Sequence, residues 1–183
     1  LFEDLAIAGL KLITPKKFGD DRGFFCETHN AATWDKAGLH YNFVQDNHSL
    51  SRDVGTLRGL HFQSAPFAQD KLVRVLRGRI LDVVVDLRRS SPTFKKYVEV
   101  ELSYENWQQL LIPIGFAHGF VTLEPDTEVL YKVTNFYSPK HDLGVAWDDP
   151  ELNIDWPIRK SQVILSQKDE KLPPLSQVES LFP

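Results

Sequence analysis

Moving a proton from a carbon beside a ketone takes three groups, and this chain of 183 residues offers all three with a fourth to support them. The base should have a pKa near the working pH, which suits the imidazole of His61, a side chain whose unperturbed value is about 6.5. A fixed cation must stabilise the enolate oxygen, and Lys71 can supply it. A weak acid on the opposite face must return the proton, a task suited to the phenol of Tyr131. A carboxylate behind the histidine would fix its tautomer and support the imidazolium. Asp169, in Ser166-Gln167-Lys168-Asp169, is one candidate among several. Each residue alone has a plainer reading. A histidine or tyrosine on an apolar strand face is more often a satisfied core residue. Arg22, Arg58 and Lys168 singly read as solvated charges, Glu27 and Asp142 as loop or strand-edge acids, and Phe25 and Tyr137 as core aromatics.

A metal offers a different chemistry. PIGFAHGF carries the spacing Pro113-x-Gly115-x-x-His118, which is similar to the second motif of the cupin superfamily. A metal-binding cupin would also need a His-x-His pair and a downstream Glu. The matching stretch here reads His61-Phe62-Gln63, and Ala68-Gln69-Asp70 brings no Glu. Zinc and iron sites normally take three or four protein ligands, so a barrel with no metal and no cofactor is expected.

These side chains need a scaffold that aims them inward, and the chain reads as short strands punctuated by Gly and Pro. GFFCET (23–28), FVQDNHSL (43–50), TLRGLHFQ (56–63), KLVRVLRG (71–78), RILDVVVDL (79–87), KYVEVELS (96–103), WQQLLIP (107–113) and EVLYKVTNF (128–136) predict an all-β sandwich or barrel. Leu76-Arg77-Gly78-Arg79 predicts a tight hairpin. Asn30 can cap a short helix over Ala31 to Ala37 that Gly38 ends, and the Pro-rich C-terminal tail has room for about one more helical turn. The whole reads as one domain over residues 1–183, with an N-terminal arm and an irregular tail. Alternation puts Lys71 with Val73 and Val75, and Tyr131 with Val129 and Val133. It puts His61 with Leu57, Gly59 and Gln63, and Arg58 on the other side with Leu60 and Phe62.

Composition bounds the partners. With 21 basic and 25 acidic residues the formal net charge is −4, which argues against general nucleic-acid binding and leaves any anionic ligand to a local cluster of cations. No apolar run approaches the roughly 18 residues of a membrane span. Glu3 and Asp4 stand where an export signal would carry positive charge, and the chain has no methionine, so Leu1 is not expected to be a native start. The single cysteine, Cys26, excludes an internal disulfide and favours a reduced, cytoplasmic home.

The segments DDRGFFCE, FVQDNHSLS, LRGLHFQ, AQDKLVRVLRG, DVVVDLRRSSPTF, IPIGFAHGFVTL, VLYKVTNFYSP, WDDPELNIDWP and LSQKD follow in this order from about Pro15 to Pro174. Together they closely resemble the dTDP-4-dehydrorhamnose 3,5-epimerase family. The resemblance implies a cupin-like jelly roll, a homodimer, no metal or organic cofactor, and inversion of carbons 3 and 5 of a dTDP-linked 4-keto-6-deoxyhexose. By motif it implies His61 as proton acceptor, Asp169 as its partner, Tyr131 as proton donor and Lys71 as holder of the enolate oxygen. It places ligand contacts on Arg22, Glu27, Gln45, Asp46, Asn47, Arg58, His118, Asp142 and Lys168, with Tyr137 stacked on the thymine and Phe25 on its other side. Asp142 stands where the family usually has Glu, Cys26 replaces a more usual aromatic, and Asp70 precedes Lys71 where Gly is commoner. Rival readings are an epimerase acting at one carbon, a 3,4-ketoisomerase, a metal-dependent oxygenase and a non-catalytic sugar binder. The resemblance sends Arg58 and His61 to one ligand although alternation separates them. A bulge at Gly59 or a place at the barrel mouth would reconcile the two.

Overall fold

Runs rich in Val, Ile and Leu favour the pleated, half-buried surface of a sheet, and here they supply nearly all the regular structure. The computed structural model describes residues 1–179 and 181–183. In chain order the elements are β1 (Phe2–Asp4), β2 (Lys11–Ile13), β3 (Lys17–Asp20), β4 (Gly23–Cys26), the helix α1 (Ala31–Lys36), β5 (Gln45–Ser51), β6 (Leu57–Gln63), β7 (Lys71–Arg77), β8 (Arg79–Asp86), β9 (Tyr97–Ser103), β10 (Gln109–Ile112), β11 (Phe116–Thr122), β12 (Thr127–Val133) and β13 (Asp142–Gly144). Three 3-10 turns follow, at Lys160–Gln162, Asp169–Lys171 and Leu175–Gln177. One sheet runs β1-β2-β10-β7-β12-β5 and the other β13-β6-β11-β8-β9, while β3 and β4 form a separate hairpin. This is the all-β, cupin-like jelly roll with one short helix that the sequence predicts.

Strand β8 explains how the layers stack. Ile80 and Val84 point to the larger sheet and pack with Val73, Val75 and Val129. Val83 and Val85 point the other way, against Leu57, Leu60 and Phe62 and the tail residues Leu152, Trp156, Leu175 and Val178. Both faces of the smaller sheet are therefore covered, which is why residues 80–85 are apolar at every position but Asp82. Each such fully buried side chain contributes about 1.5–3 kcal/mol. The tail is held down by the buried Asp149 carboxylate, which accepts hydrogen bonds from the backbone N–H groups of Glu151, Leu152 and Leu175. The outer face of the larger sheet is closed by α1, whose Trp34 packs on Ile13, Leu72 and Leu111. Asn30 caps that helix, its side chain accepting from the Thr33 N–H.

Two details depart from the sequence reading, and a third decides an alternative it left open. The N-terminal residues do not hang free as an arm. β1 and β2 extend the larger sheet by pairing onto β10, and Ile7, Leu10 and Ile13 are buried. Leu76–Arg79 is not a hairpin, because β7 and β8 lie in different sheets. Gly78 turns the chain across the sandwich at φ +74°, and a Cβ there would sit 2.3 Å from Thr127 Oγ1. Turn residues report local backbone freedom and carry no information about which sheet the next strand joins. The third detail is in β6, where the structure takes the first of the two alternatives the sequence left open, a bulge at Gly59. His118 of β11 pairs with His61, and Phe120 with Arg58, so Gly119 alone faces both Gly59 and Leu60. This is the bulge that reverses the parity of β6 and turns Arg58 to the same side as His61. Gly59 has φ +120° and lies so close to β11 that a Cβ would come within 2.7 Å of Gly119 Cα and His118 O.

Candidate active site

The two sheets open at one end into a cleft of about 300 Å³ lined from both sides. From the larger sheet, β5 contributes Gln45, Asn47 and Ser49, β7 contributes Lys71, and β12 contributes Tyr131. Tyr131 lies opposite Asn47 in the pairing of β12 with β5, and Lys71 opposite Val133 in that of β7 with β12. From the smaller sheet come Arg58 and His61 of β6 and His118 and Phe120 of β11. The tail brings the fourth group. Its residue Ile164 pairs with the start of β6, and the chain then carries Ser166, Lys168 and Asp169 over the cleft.

His61 Nε2 lies 2.5 Å from Asp169 Oδ1, and the carboxylate is only 5% exposed. Burial pushes the Asp169 carboxyl up, but the hydrogen bond and charge of His61, with the Ser166 hydrogen bond and the Lys168 charge, together hold the group below the ordinary carboxylate value. With Nε2 engaged, Nδ1 is the ring nitrogen left to exchange a proton. Lys71 Nζ reaches the His61 carbonyl at 3.4 Å, and burial brings its ammonium down to about 8 against the pull of Asp142 and Asp82. Burial raises the Tyr131 phenol, with nearby Arg58 opposing. His118 Nε2 is 2.9 Å from the buried Asp82 Oδ2, yet burial outweighs that partner and lowers the imidazole. At the mouth, the Tyr137 hydroxyl donates to Asp142 Oδ2 at 2.9 Å and Lys168 Nζ pairs with the same oxygen. Among the described residues, no group of three or more His, Cys, Asp and Glu side chains could hold a metal ion.

This arrangement can take a proton on one side of a ring-sized ligand and deliver one on the other, with a cation between. The comparison with known proteins gives the family. The family model described as dTDP-4-dehydrorhamnose 3,5-epimerase matches residues 4–177. The chain belongs to this family. A curated dTDP-4-dehydrorhamnose 3,5-epimerase of Sinorhizobium fredii is 51% identical over 181 residues, covering 99% of this chain and 92% of the relative. The crystal structure of the Bacillus anthracis epimerase with TDP and PPi bound has a TM-score of 0.92 at 51% identity, covering 96% of this chain and 99% of that one. That of the Legionella pneumophila epimerase in complex with dTDP-4-keto-L-rhamnose has a TM-score of 0.94 at 44% identity, covering 100% and 97%. The chain is an isomerase-class enzyme.

Of the residues singled out in the sequence of this epimerase, His61, Lys71, Tyr131, Asp169, Gln45, Asn47, Arg58, His118, Tyr137, Asp142 and Lys168 all line the cleft. Four do not. Asp46 alternates outward between Gln45 and Asn47 and pairs with Lys132 at 2.9 Å. Arg22 and Phe25 ride on the β3–β4 hairpin and Glu27 follows it, all away from the cleft of their own chain. Arg22 is paired with Asp20 at 2.5 Å, and Phe25 is 66% exposed. Ser49, Gln69, Phe120 and Ser166 line the cleft without having been singled out. Ser49 was accessible to the same alternation that places Gln45 and Asn47, whereas Gln69 lies outside any strand and Ser166 in the tail, where no periodicity points to them.

Proposed function

We propose that this epimerase inverts carbons 3 and 5 of a dTDP-linked 4-keto-6-deoxyhexose without a metal or organic cofactor. The observation that carries the reading is the opposition of His61, backed by Asp169 from the tail, to Tyr131 on the facing sheet, with Lys71 in the same cleft. His61 takes the α-proton, leaving an enolate whose oxygen is held by the Lys71 ammonium, and Tyr131 returns a proton to the other face of the carbon. The phenolate then regains its proton from solvent and the imidazolium releases its own, so protons balance over each inversion. Nothing in this sequence of steps calls for a metal. The position where a metal-binding cupin would place a second histidine is Gln63, whose amide is spent on backbone groups of neighbouring loops.

The enzyme works as a homodimer in this reading. Arg22, Phe25 and Glu27, which the resemblance assigns to the ligand, sit on or beside a hairpin that packs on Trp107 and leaves Phe18, Phe24 and Phe25 exposed. A second copy whose cleft receives that hairpin would bring them to a substrate and cover the aromatic surface. A small enzyme of this chemistry fits a cytoplasmic setting.

Proton NMR of the enzyme with dTDP-4-keto-6-deoxyglucose in deuterated water tests the reaction. Deuterium is expected at both carbons with inverted product; deuterium at one carbon makes it a single-site epimerase, and none removes the catalytic reading. Tyr131→Phe should leave wash-in of deuterium to the unreacted substrate while inversion falls roughly 10²–10⁴-fold. Inversion at the wild-type rate in Tyr131→Phe takes Tyr131 out of the mechanism.

A further inference from the structure

Gln63 has no place in the proton transfers, yet it is 5% exposed and its amide is fully engaged. Its Nε2 donates to the carbonyls of Phe67 at 2.6 Å and Phe136 at 3.1 Å, and its Oε1 accepts from the Ser138 N–H at 2.7 Å. Two carbonyls and one N–H fix the sense of the amide, since the flipped group would put oxygen against oxygen. The two contacts on the 134–141 loop fall on the residues either side of Tyr137. Two further glutamines complete the anchoring. Gln69 Nε2 donates to the Asn135 carbonyl at 2.7 Å, and Gln45 Oε1 accepts from the Tyr137 N–H at 3.1 Å. Four successive residues, 135 to 138, are thus each hung by a backbone atom from a glutamine amide. Tyr137 itself is 55% exposed at the cleft mouth, with its hydroxyl tied to Asp142. An exposed ring on a loop would ordinarily sweep through several rotamers; this one is held at both ends.

We propose that Gln63 is a positioning residue that holds the Tyr137 ring as a preformed platform for the nucleotide base, so that it governs affinity for the nucleotide half of the substrate and leaves the proton transfers alone. The proposal rests on the reading that Tyr137 stacks on that base. The cost of ordering an aromatic side chain falls on folding, where the glutamine amides meet it, and not on binding. The strand position that would offer a metal a second histidine has here become a clamp on a loop.

The test is a double-mutant cycle read by calorimetry with dTDP and by steady-state kinetics. Tyr137→Ala should weaken dTDP binding by about 10–100-fold, the loss of one base–aromatic stack. Gln63→Glu keeps the shape but turns a carboxylate onto two carbonyls, and should weaken dTDP binding by about tenfold while kcat at saturating substrate stays within about twofold. In the Tyr137→Ala background the same Gln63→Glu change should have no further effect on affinity. Additive losses would mean that Gln63 meets the ligand directly, and equal falls in kcat and kcat/KM would mean that it acts on the chemistry; either overturns the proposal. Unchanged affinity in Tyr137→Ala overturns the stacking reading and this proposal with it. Should Gln63→Glu not fold, Gln63→Met, which drops all three hydrogen bonds without adding charge, carries the same cycle with the same outcomes.

Discussion

Replacing Asp169 by Asn removes one charge and almost no volume, and so isolates what the carboxylate does for His61. The backbone of residue 169 is held independently by the Ser166 hydroxyl, which accepts from its N–H at 3.1 Å, so the amide should occupy the same place. Loss of a charge-assisted hydrogen bond accounts for about 1.5–3 kcal/mol, or roughly 10–150-fold in rate if it is felt in full when the imidazolium forms. A second effect follows from the geometry. The carboxylate accepts from Nε2 and leaves Nδ1 unprotonated; an amide that presents its NH₂ to Nε2 instead puts the ring proton on Nδ1, the nitrogen meant to receive the substrate proton. That tautomer has no base, and the combined loss should reach about 10²–10⁴-fold in α-proton exchange. The assay is the initial rate of deuterium incorporation by NMR at saturating substrate, beside kcat for inversion; both should fall together with KM little changed. Exchange within about threefold of wild type would mean that the carboxylate does not support the base, and a rise in KM alone would move Asp169 from chemistry to binding. The substitution also has a pH signature. Because the folded-state carboxyl lies below its unfolded value, its stabilisation is complete above that value and is lost as pH falls through the folded pKa, so Asp169→Asn should flatten the acid limb of thermal stability.

Other outcomes follow from the same structure. If the hairpin completes the cleft of a second copy, Arg22→Ala and His61→Ala subunits, each inactive alone, should recover about a quarter of wild-type activity when mixed and re-associated in equal amounts, since half the dimers then carry one intact site of two; no recovery would place Arg22 in its own subunit's site or outside the site. Activity should decline as pH rises through about 8, where Lys71 loses its charge, whereas this group's contribution to stability should rise between about 8 and its unfolded value of 10.5, because the unfolded chain then holds a proton that the folded chain has shed; an activity profile flat to pH 10 would contradict the role of Lys71 as a cation. Gly59→Ala forces a side chain into a left-handed position against β11 and should cost about 2–4 kcal/mol by denaturant unfolding, with a native-like melting curve arguing against the bulge as described.

Alternation alone placed Lys71 and Tyr131 on one inward face, because β7 and β12 keep regular pairing through both residues. The same rule failed for Arg58, since a single extra residue in β6 shifts parity; the sequence could offer a bulge at Gly59 only as one of two alternatives, and the register of β6 on β11 decides for it. Asp46 shows the converse: it was named by resemblance alone, and strand alternation between Gln45 and Asn47, had it been applied, would have turned it outward. Asp169 could be named by motif but its meeting with His61, 108 residues earlier, depends on how the tail wraps the smaller sheet. Gln63 was read only for the ligand it fails to be. Hydrogen bonds from a side chain to the backbone of a distant loop leave no pattern in composition or periodicity, so its engagement was invisible.

The crossing at Gly78 sends consecutive strands into opposite sheets, and the same two-layer order puts the proposed base, His61 on β6, and the proposed acid, Tyr131 on β12, on separate walls. The gap between them is the spacing of two stacked sheets, about 10 Å between backbones, and neither His61 nor Tyr131 sets it. What sets it is the packing of Val73, Val75 and Val129 against Ile80 and Val84, in the inter-sheet space beside the cleft. These residues work as shims. Trimming one lets the walls settle together and adding bulk wedges them apart, so a change of one methyl group on a side chain that does not line the cleft alters the reach of the proposed base and acid alike. The thickness of ring that this fold can turn over is thus a property of its hydrophobic core.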